Sequence, residues 1–339
     1  MKLTSVILCT LAATAMATAT FAEPLTLTVG SGGEKGTYYP VISEIAGVCN
    51  SDTLFIQHRL DPEGKSVGGS DNNLRGILRN EIPVGIIQLD KAYLELQVNP
   101  DMPRVQALLP LHEEAVHVLV PTMVSVLVQE AVEPNFLGFG AKEAIYDTQP
   151  NEARDISDLK GQTVVAWGGS LTTAKIISQL AGLNLDITEV TNEAAAVEVL
   201  RAGEAAAIVA TVGYPAAWIE ALPDGEFTIL EATDVVKDVE AVYSVSGVSY
   251  DNLGQSGQAV QALAVDAILF TRKFDKPEMV AALAELQSCV RENISEFRDT
   301  LGTHPAWQRI DPAREMKWSN LFIAPKAAVV APATAADGG

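Results

Sequence analysis

Basic residues are scarce in this sequence: 23 Lys and Arg stand against 43 Asp and Glu, for a net charge of −20. Nucleic acid and anionic membrane both call for clustered Lys and Arg, so neither is an expected partner. Any anionic ligand would have to be held by local features against an unfavourable overall field. Cysteine is nearly absent as well, with three in the chain, and histidine numbers four. His58, His112, His117 and His304 show no H-E-x-x-H spacing, and so few cysteines make no thiolate cluster. Ser70 follows two glycines but lacks the G-x-S-x-G elbow of a hydrolase nucleophile. The expectation is a non-enzyme without cofactor or metal, with a small-molecule enzyme as the alternative class. Long apolar runs are also missing: no stretch approaches the roughly 20 residues of a spanning helix.

What is present begins with MKLTSVILCTLAATAMATATFA, one Lys, a short apolar run and then small residues. This is the layout of a secretory signal peptide over 1–22, cleaved after Ala22, and it predicts an exported, periplasmic protein. Cys9 follows Leu8 rather than a small residue, so it belongs to the removed peptide and not to a lipid anchor. Cys49 and Cys289 remain in a compartment where disulfides persist. Two readings stand, a bridge between them or two buried thiols, because pairing depends on a Cα separation that sequence does not give.

The order of elements predicts an α/β fold. LTLTV (Leu25–Val29) alternates as a strand, VGSGGEKGTYYP follows as a glycine-rich turn, and Tyr38, Val41, Ile45 and Val48 mark the inner face of a helix. A helix over 72–79, a buried strand PVGIIQ and a helix KAYLELQ capped by Asp90 come next. The same order returns with a strand at Thr163–Trp167, the turn Gly168-Gly169-Ser170, a helix over 172–180 stopped at Gly182, and the strand DITEV. LRNEIPVGIIQLDKAYLEL and LRAGEAAAIVATVGYPAAWIEAL read as matching parts of two similar lobes. Two extended apolar runs, AVHVLVPTMVSVLVQ and VQALAVDAILFT, are expected to cross between the lobes and back. The boundaries are lobe 1 at 23–117 and 261–323, lobe 2 at 118–260, and a low-complexity, disordered tail at 324–339.

The glycine turn fits neither nucleotide motif. Lys35 precedes Gly36 where a P-loop needs it at the helix start, and Lys35 also stands where the third glycine of G-x-G-x-x-G belongs. A helix N-terminus with glycines around it still offers free N–H groups to an anion. Two lobes would aim two such ends, near Gly36-Thr37-Tyr38 and near Ser170-Leu171-Thr172-Thr173, at one cleft.

Six blocks taken in order, GSGGEKGTYYP, SVGGSDNNL, VGIIQLDKAY, ALLPLHEEAVHVLVP, DLKGQTVVAWGGSLTT and VGYPAAW, resemble the TAXI family. These are the extracytoplasmic solute-binding subunits of tripartite TRAP transporters. The resemblance runs from about Leu25 to the GTHPAWQRID stretch. It implies a type II periplasmic-binding-protein fold, two lobes on a two-segment hinge, that captures a small carboxylate, a glutamate-like amino acid or a dicarboxylate, for membrane permease subunits. It also implies ligand contacts from Gly36, Thr37 and Tyr38; from Ser66, Gly69, Ser70 and Asn73; from Gln88 and Asp90; and from Ser170, Thr172 and Thr173 with Tyr214. A ligand-sensing subunit that presents its closed form to a membrane receptor is the alternative.

Departures from the family pattern bear on the pocket. Gln-Ser-Asp is here Gln88-Leu89-Asp90, which removes a hydroxyl, and the second-lobe turn is shortened to WGGSLTT. HRLDPEGK matches nothing in the pattern, and Arg59 and Lys65 are read as surface residues against the alternative of pairing with a second carboxylate. Bland roles compete throughout. Asp90 caps a helix unless the solute carries an ammonium group, Asn73 bonds backbone within its loop, and Trp167 and Tyr214 belong either to the cleft or to the core.

Overall fold

The computed structural model describes residues 23–34, 36–99, 101–131 and 142–311. The expected signal peptide and the tail from Ala324 lie outside the described residues. In chain order the strands and α-helices are β1 (Leu25–Gly30), α1 (Tyr38–Cys49), β2 (Leu54–His58), α2 (Ser70–Leu78), β3 (Val84–Gln88), α3 (Leu89–Val98), β4 (Val105–Pro121), β5 (Met123–Gln129) and β6 (Ile145–Pro150). There follow β7 (Thr163–Ala166), α4 (Gly169–Leu180), β8 (Asp186–Glu189), α5 (Glu193–Arg201), β9 (Ala207–Gly213), α6 (Ala217–Glu220), β10 (Phe227–Ile229), α7 (Val236–Val239), β11 (Ser244–Val248), β12 (Val260–Arg272), α8 (Pro277–Glu292) and α9 (Ile294–Asp299).

Local sequence explains most of these. Tyr38, Val41, Ile42, Ile45 and Cys49 recur at helical spacing and are the buried face of α1. Asn192 caps α5 by accepting from the Ala195 N–H at 3.0 Å. Pro277 opens α8, where its missing N–H is harmless. Gly69 and Gly168, which precede α2 and α4, have φ of 88° and 49°, backbone that a side chain disfavours.

The main sheet runs β2-β1-β3-β12-β4-β9-β7-β8. β1 pairs in parallel with β2 and β3, and β7 pairs in parallel with β8 and β9. Each half is therefore a βαβαβ unit with its first strand in the middle, the repeated architecture expected from the two LR-containing segments. Between the halves lie β4 and β12, antiparallel to each other along most of their length. β12 pairs with β3 through Ala267–Thr271, whereas β4 pairs with β9 through Glu114–Leu119. The fold is thus the expected α/β arrangement: two parallel units joined by two crossing segments.

One expectation about the crossing runs is corrected. AVHVLVPTMVSVLVQ is not a single crossing element: β4 ends at Pro121, and MVSVLVQ becomes β5 of a separate two-stranded sheet with β6. Pro121 and the bend at Thr122 separate the two, with the Thr122 hydroxyl donating to the Gly225 carbonyl at 2.7 Å. The side chains of Met123, Val126, Leu127 and Val128 are exposed rather than packed in the core.

Three apolar layers cover the sheet. Val41, Ile45, Leu286 and Trp307 pack α1 and α8 on the first unit, and Val165, Leu200, Ile208 and Ile219 cover one face of the second. The remaining layer is continuous across both units and includes Ile77, Leu89, Val116, Ile177 and Val209. Each such fully buried side chain stabilises by about 1.5–3 kcal/mol. Cys49 and Cys289 form a disulfide with Cα atoms 5.8 Å apart, which settles the open alternative and ties α1 to α8.

Candidate functional site

At the junction of the two units lies a buried polar cluster. Its floor is Glu114 of β4, whose register partners are Gly213 on one side and Val265 on the other. Glu114 Oε2 accepts from Gln88 Nε2 at 2.7 Å and from the Tyr38 hydroxyl at 3.2 Å. Its other oxygen lies 3.5 Å from His112 Nε2. His112 is buried and its ring meets that of Tyr38 edge-on at 5.7 Å.

Asp90, fully buried in the first turn of α3, bonds across to the second unit. One carboxylate oxygen accepts from the Thr173 hydroxyl at 2.6 Å and from the Tyr243 hydroxyl at 3.0 Å. The other accepts from the Lys91 N–H at 2.6 Å. Burial pushes the Asp90 pKa up to about 6, the three donors pull against that rise, and Glu114 adds to it. Burial, then the Glu114 charge, raises Tyr38 well above the usual phenol range; burial, then Asp90, does the same to Tyr243.

Two serines hold helix ends onto strand ends in the same way. Ser70 Oγ accepts from the Gln88 N–H at 3.0 Å, and Ser170 Oγ accepts from the Thr211 N–H at 2.9 Å. The units also touch where side chains are missing. A Cβ on Gly169 would stand 2.4 Å from Gln88 Oε1, and one on Gly213 would stand 2.6 Å from Thr37 Oγ1.

Of the residues singled out from sequence, Thr37, Tyr38, Ser70, Gln88, Asp90, Ser170 and Thr173 gather at this junction, with Thr172 buried on the same turn of α4. Asn73 sits beneath, donating to the carbonyls of Ser31 and Ile86, both at 2.8 Å. Ser66 donates to the Gly32 carbonyl at 2.7 Å, and the Gly69 N–H donates to the Ser31 carbonyl at 2.8 Å, so both brace the glycine turn. Gly36 closes that turn by bonding to Gly33 at 2.9 Å. Tyr214 points elsewhere: its hydroxyl donates to the Ser249 carbonyl at 2.9 Å, and Arg309 stacks on its ring. Trp167 packs on Trp218. Arg59 pairs with Glu81 at 2.6 Å and Lys65 with Glu63 at 3.6 Å, both outside the cluster.

No protein-family model and no curated protein matches the chain. Among solved structures, the chain is similar to an arginine transport system periplasmic binding protein from Legionella pneumophila, at 9% identity over 81% of this chain and 95% of that one, with a TM-score of 0.41. It is also similar to the probable amino-acid ABC transporter extracellular-binding protein ytmK from Bacillus subtilis, at 13% identity over 81% and 94%, with a TM-score of 0.44. A third is the GluR0 ligand-binding core in complex with L-glutamate, at 13% identity over 82% and 97%, also with a TM-score of 0.44.

Glu114, Thr211 and Tyr243 were not among the residues singled out from sequence, and His112 was set aside there for lack of ligand spacing. A signal for the first existed: Glu113-Glu114 interrupts an otherwise apolar run. In a strand, successive side chains go to opposite faces, so one of two adjacent glutamates must enter the layer between the units. Glu113 takes the other face, accepting from Ser244 at 3.2 Å. Among the described residues no group of histidine, cysteine and acidic side chains is arranged to hold a metal. No helix among them is long and apolar enough to cross a membrane. An open hollow of about 1320 Å³ lies away from the cluster, between the β5–β6 sheet and the end of α5, lined by Met123, Tyr146, Arg201 and Glu226 among others.

Proposed function

We propose that this is an exported solute-binding protein of the TAXI kind, which captures a small carboxylate-bearing solute between two lobes and passes it to TRAP-type permease subunits. Lobe 1 comprises 23–117 and 261–323, and lobe 2 comprises 118–260. The observation that carries the reading is the polar cluster at the junction of the units, where Asp90 of one is bonded by Thr173 and Tyr243 of the other. Hydroxyls, an amide and two carboxylates buried at the junction of the units suit reversible capture better than they suit stability, because desolvating them costs free energy that apolar packing would not. The order of the six sequence blocks supports the family.

Closure is expected to follow solute binding, driven by the extra affinity that the second lobe adds. Small-angle scattering of the mature chain with and without a stabilising solute tests this. A smaller radius of gyration with solute is expected, and superimposable profiles would sink the closing mechanism.

A further inference from the structure

We propose that Glu114 is the counter-ion for a protonated amine of the solute, so that an amine-free dicarboxylate is not a ligand. This inference rests on the reading of the interlobe cluster as the solute site. Two carboxylates, Asp90 and Glu114, are buried there, yet among the described residues no Lys or Arg pairs with either. Lys91, the neighbour of Asp90 in sequence, directs its ammonium to Asp71 at 2.6 Å and Glu95 at 3.1 Å. Arg59 is taken by Glu81, and Arg309 lies over Tyr214. A solute bringing only carboxylates would add negative charge beside these two with no Lys or Arg among the described residues to receive it. A solute bringing an ammonium would supply the missing partner.

The two carboxylates are not equivalent. Asp90 is saturated by two hydroxyls and a backbone N–H. Glu114 spends one oxygen on Gln88 and Tyr38, while among the described residues the other has its polar contact with His112 Nε2 at 3.5 Å, beyond good hydrogen-bond reach. Neither ring nitrogen of His112, nor the Thr211 hydroxyl, has a hydrogen-bond partner among the described residues, although both side chains are more than nine-tenths buried. Thr211 faces Val116 in the β4–β9 register, two residues along from the Glu114–Gly213 pair, so its side chain shares the Glu114 face of the sheet. Gln88 Oε1 has only a 3.5 Å contact from Ser70. An ammonium has three N–H donors and no acceptor, which is what Glu114, Thr211 and Gln88 are short of. Gly213, opposite Glu114, places no side chain over the carboxylate.

The test is a calorimetric and thermal-shift comparison of the mature chain with L-amino acids, their amine-free acid analogues and their carboxyl-free amine analogues. Expected is binding by at least one amine-bearing compound, with its amine-free analogue silent. Glu114→Gln is expected to weaken that compound about thirtyfold, the worth of a buried hydrogen bond to a charged group. Thr211→Val should weaken it in the same direction without touching the floor of the site. Equal binding by an amine-free analogue, or a Glu114→Gln variant that folds and keeps its affinity within twofold, would overturn the amine assignment and leave the solute-binding reading standing. Silence from every compound would overturn both.

Discussion

Replacing Asp90 with Asn removes an ionisation while keeping the side chain's shape, and the structure fixes how the result must depend on pH. In the folded protein burial raises this carboxyl from 3.8 to about 6. A carboxyl whose folded pKa is raised holds its proton more tightly folded than unfolded, so its favourable contribution is complete below about 4 and is lost as pH rises through about 6. The shift of roughly two units corresponds to about 3 kcal/mol. Asn at this position forces a fixed exchange of donors. One Asp90 oxygen accepts from Thr173 and Tyr243 and the other from the Lys91 N–H, so the amide oxygen stays on the Lys91 N–H and the amide NH2 turns to the two hydroxyls, which must then accept instead of donate. The cost of that exchange does not change with pH. His117 pulls the other way, since burial lowers it to about 4 and its contribution is lost as pH falls from 6.5. It is present in both proteins and cancels. The measurement is urea unfolding of wild type and Asp90→Asn at several values between pH 4 and pH 8. The difference in stability should move in favour of the variant by about 3 kcal/mol across that range. Curves that remain parallel would show that Asp90 is solvated, and hence that the units do not close over it.

Gly213→Ala should disturb the closed junction, because its Cβ would stand 2.6 Å from Thr37 Oγ1. Rotating a β-branched Thr swaps the hydroxyl for the methyl and relieves little, so a loss of about 1–3 kcal/mol is expected. Thr37→Ala in the same chain should restore most of it, and a double variant no more stable than Gly213→Ala in thermal unfolding would rule out this contact as the cause. Joint replacement of Cys49 and Cys289 by Ala removes a link across 240 residues. A loss of about 4 kcal/mol is expected from the freed unfolded chain; an unchanged denaturation midpoint would contradict it.

Glycine placement and helical spacing made the second βαβαβ unit legible in the sequence, and the first except for β2 (Leu54–His58), which was not among the expected strands. The signals were local: alternation in LTLTV, the 3.6-residue face of Tyr38 to Cys49, and Gly168 where φ must be positive. α8 runs from Pro277 to Glu292, with a proline in its first turn and an amphipathic face. Where an apolar run had no local signal for its end, the reading failed. Nothing in MVSVLVQ distinguishes a core strand from one in an exposed two-stranded sheet, because both have the composition of a β-strand. The bend at Thr122 is held by a hydroxyl bonding to Gly225, about a hundred residues away, which no local window contains.

The candidate site was legible only in part for a related reason. Helix-start hydroxyls such as Ser70 and Ser170 stand out in sequence, and they do gather near the junction. Yet their oxygens are occupied by the strand-end N–H groups of Gln88 and Thr211, so they serve first to hold helix to strand. The chemistry with capacity to spare sits on residues of the crossing strand and its neighbour, Glu114, His112 and Thr211, which carry no turn or cap signature. Glu114 left one trace in the sequence, the pair Glu113-Glu114, but its place between the units follows only from β4 pairing with both β12 and β9. On the proposed reading, Glu114 would be desolvated as the lobes close and returned to water as they open. Buried without a Lys or Arg, it would weaken the closed empty state, and an ammonium would stabilise closure. That difference would account for a carboxylate buried in the middle of β4.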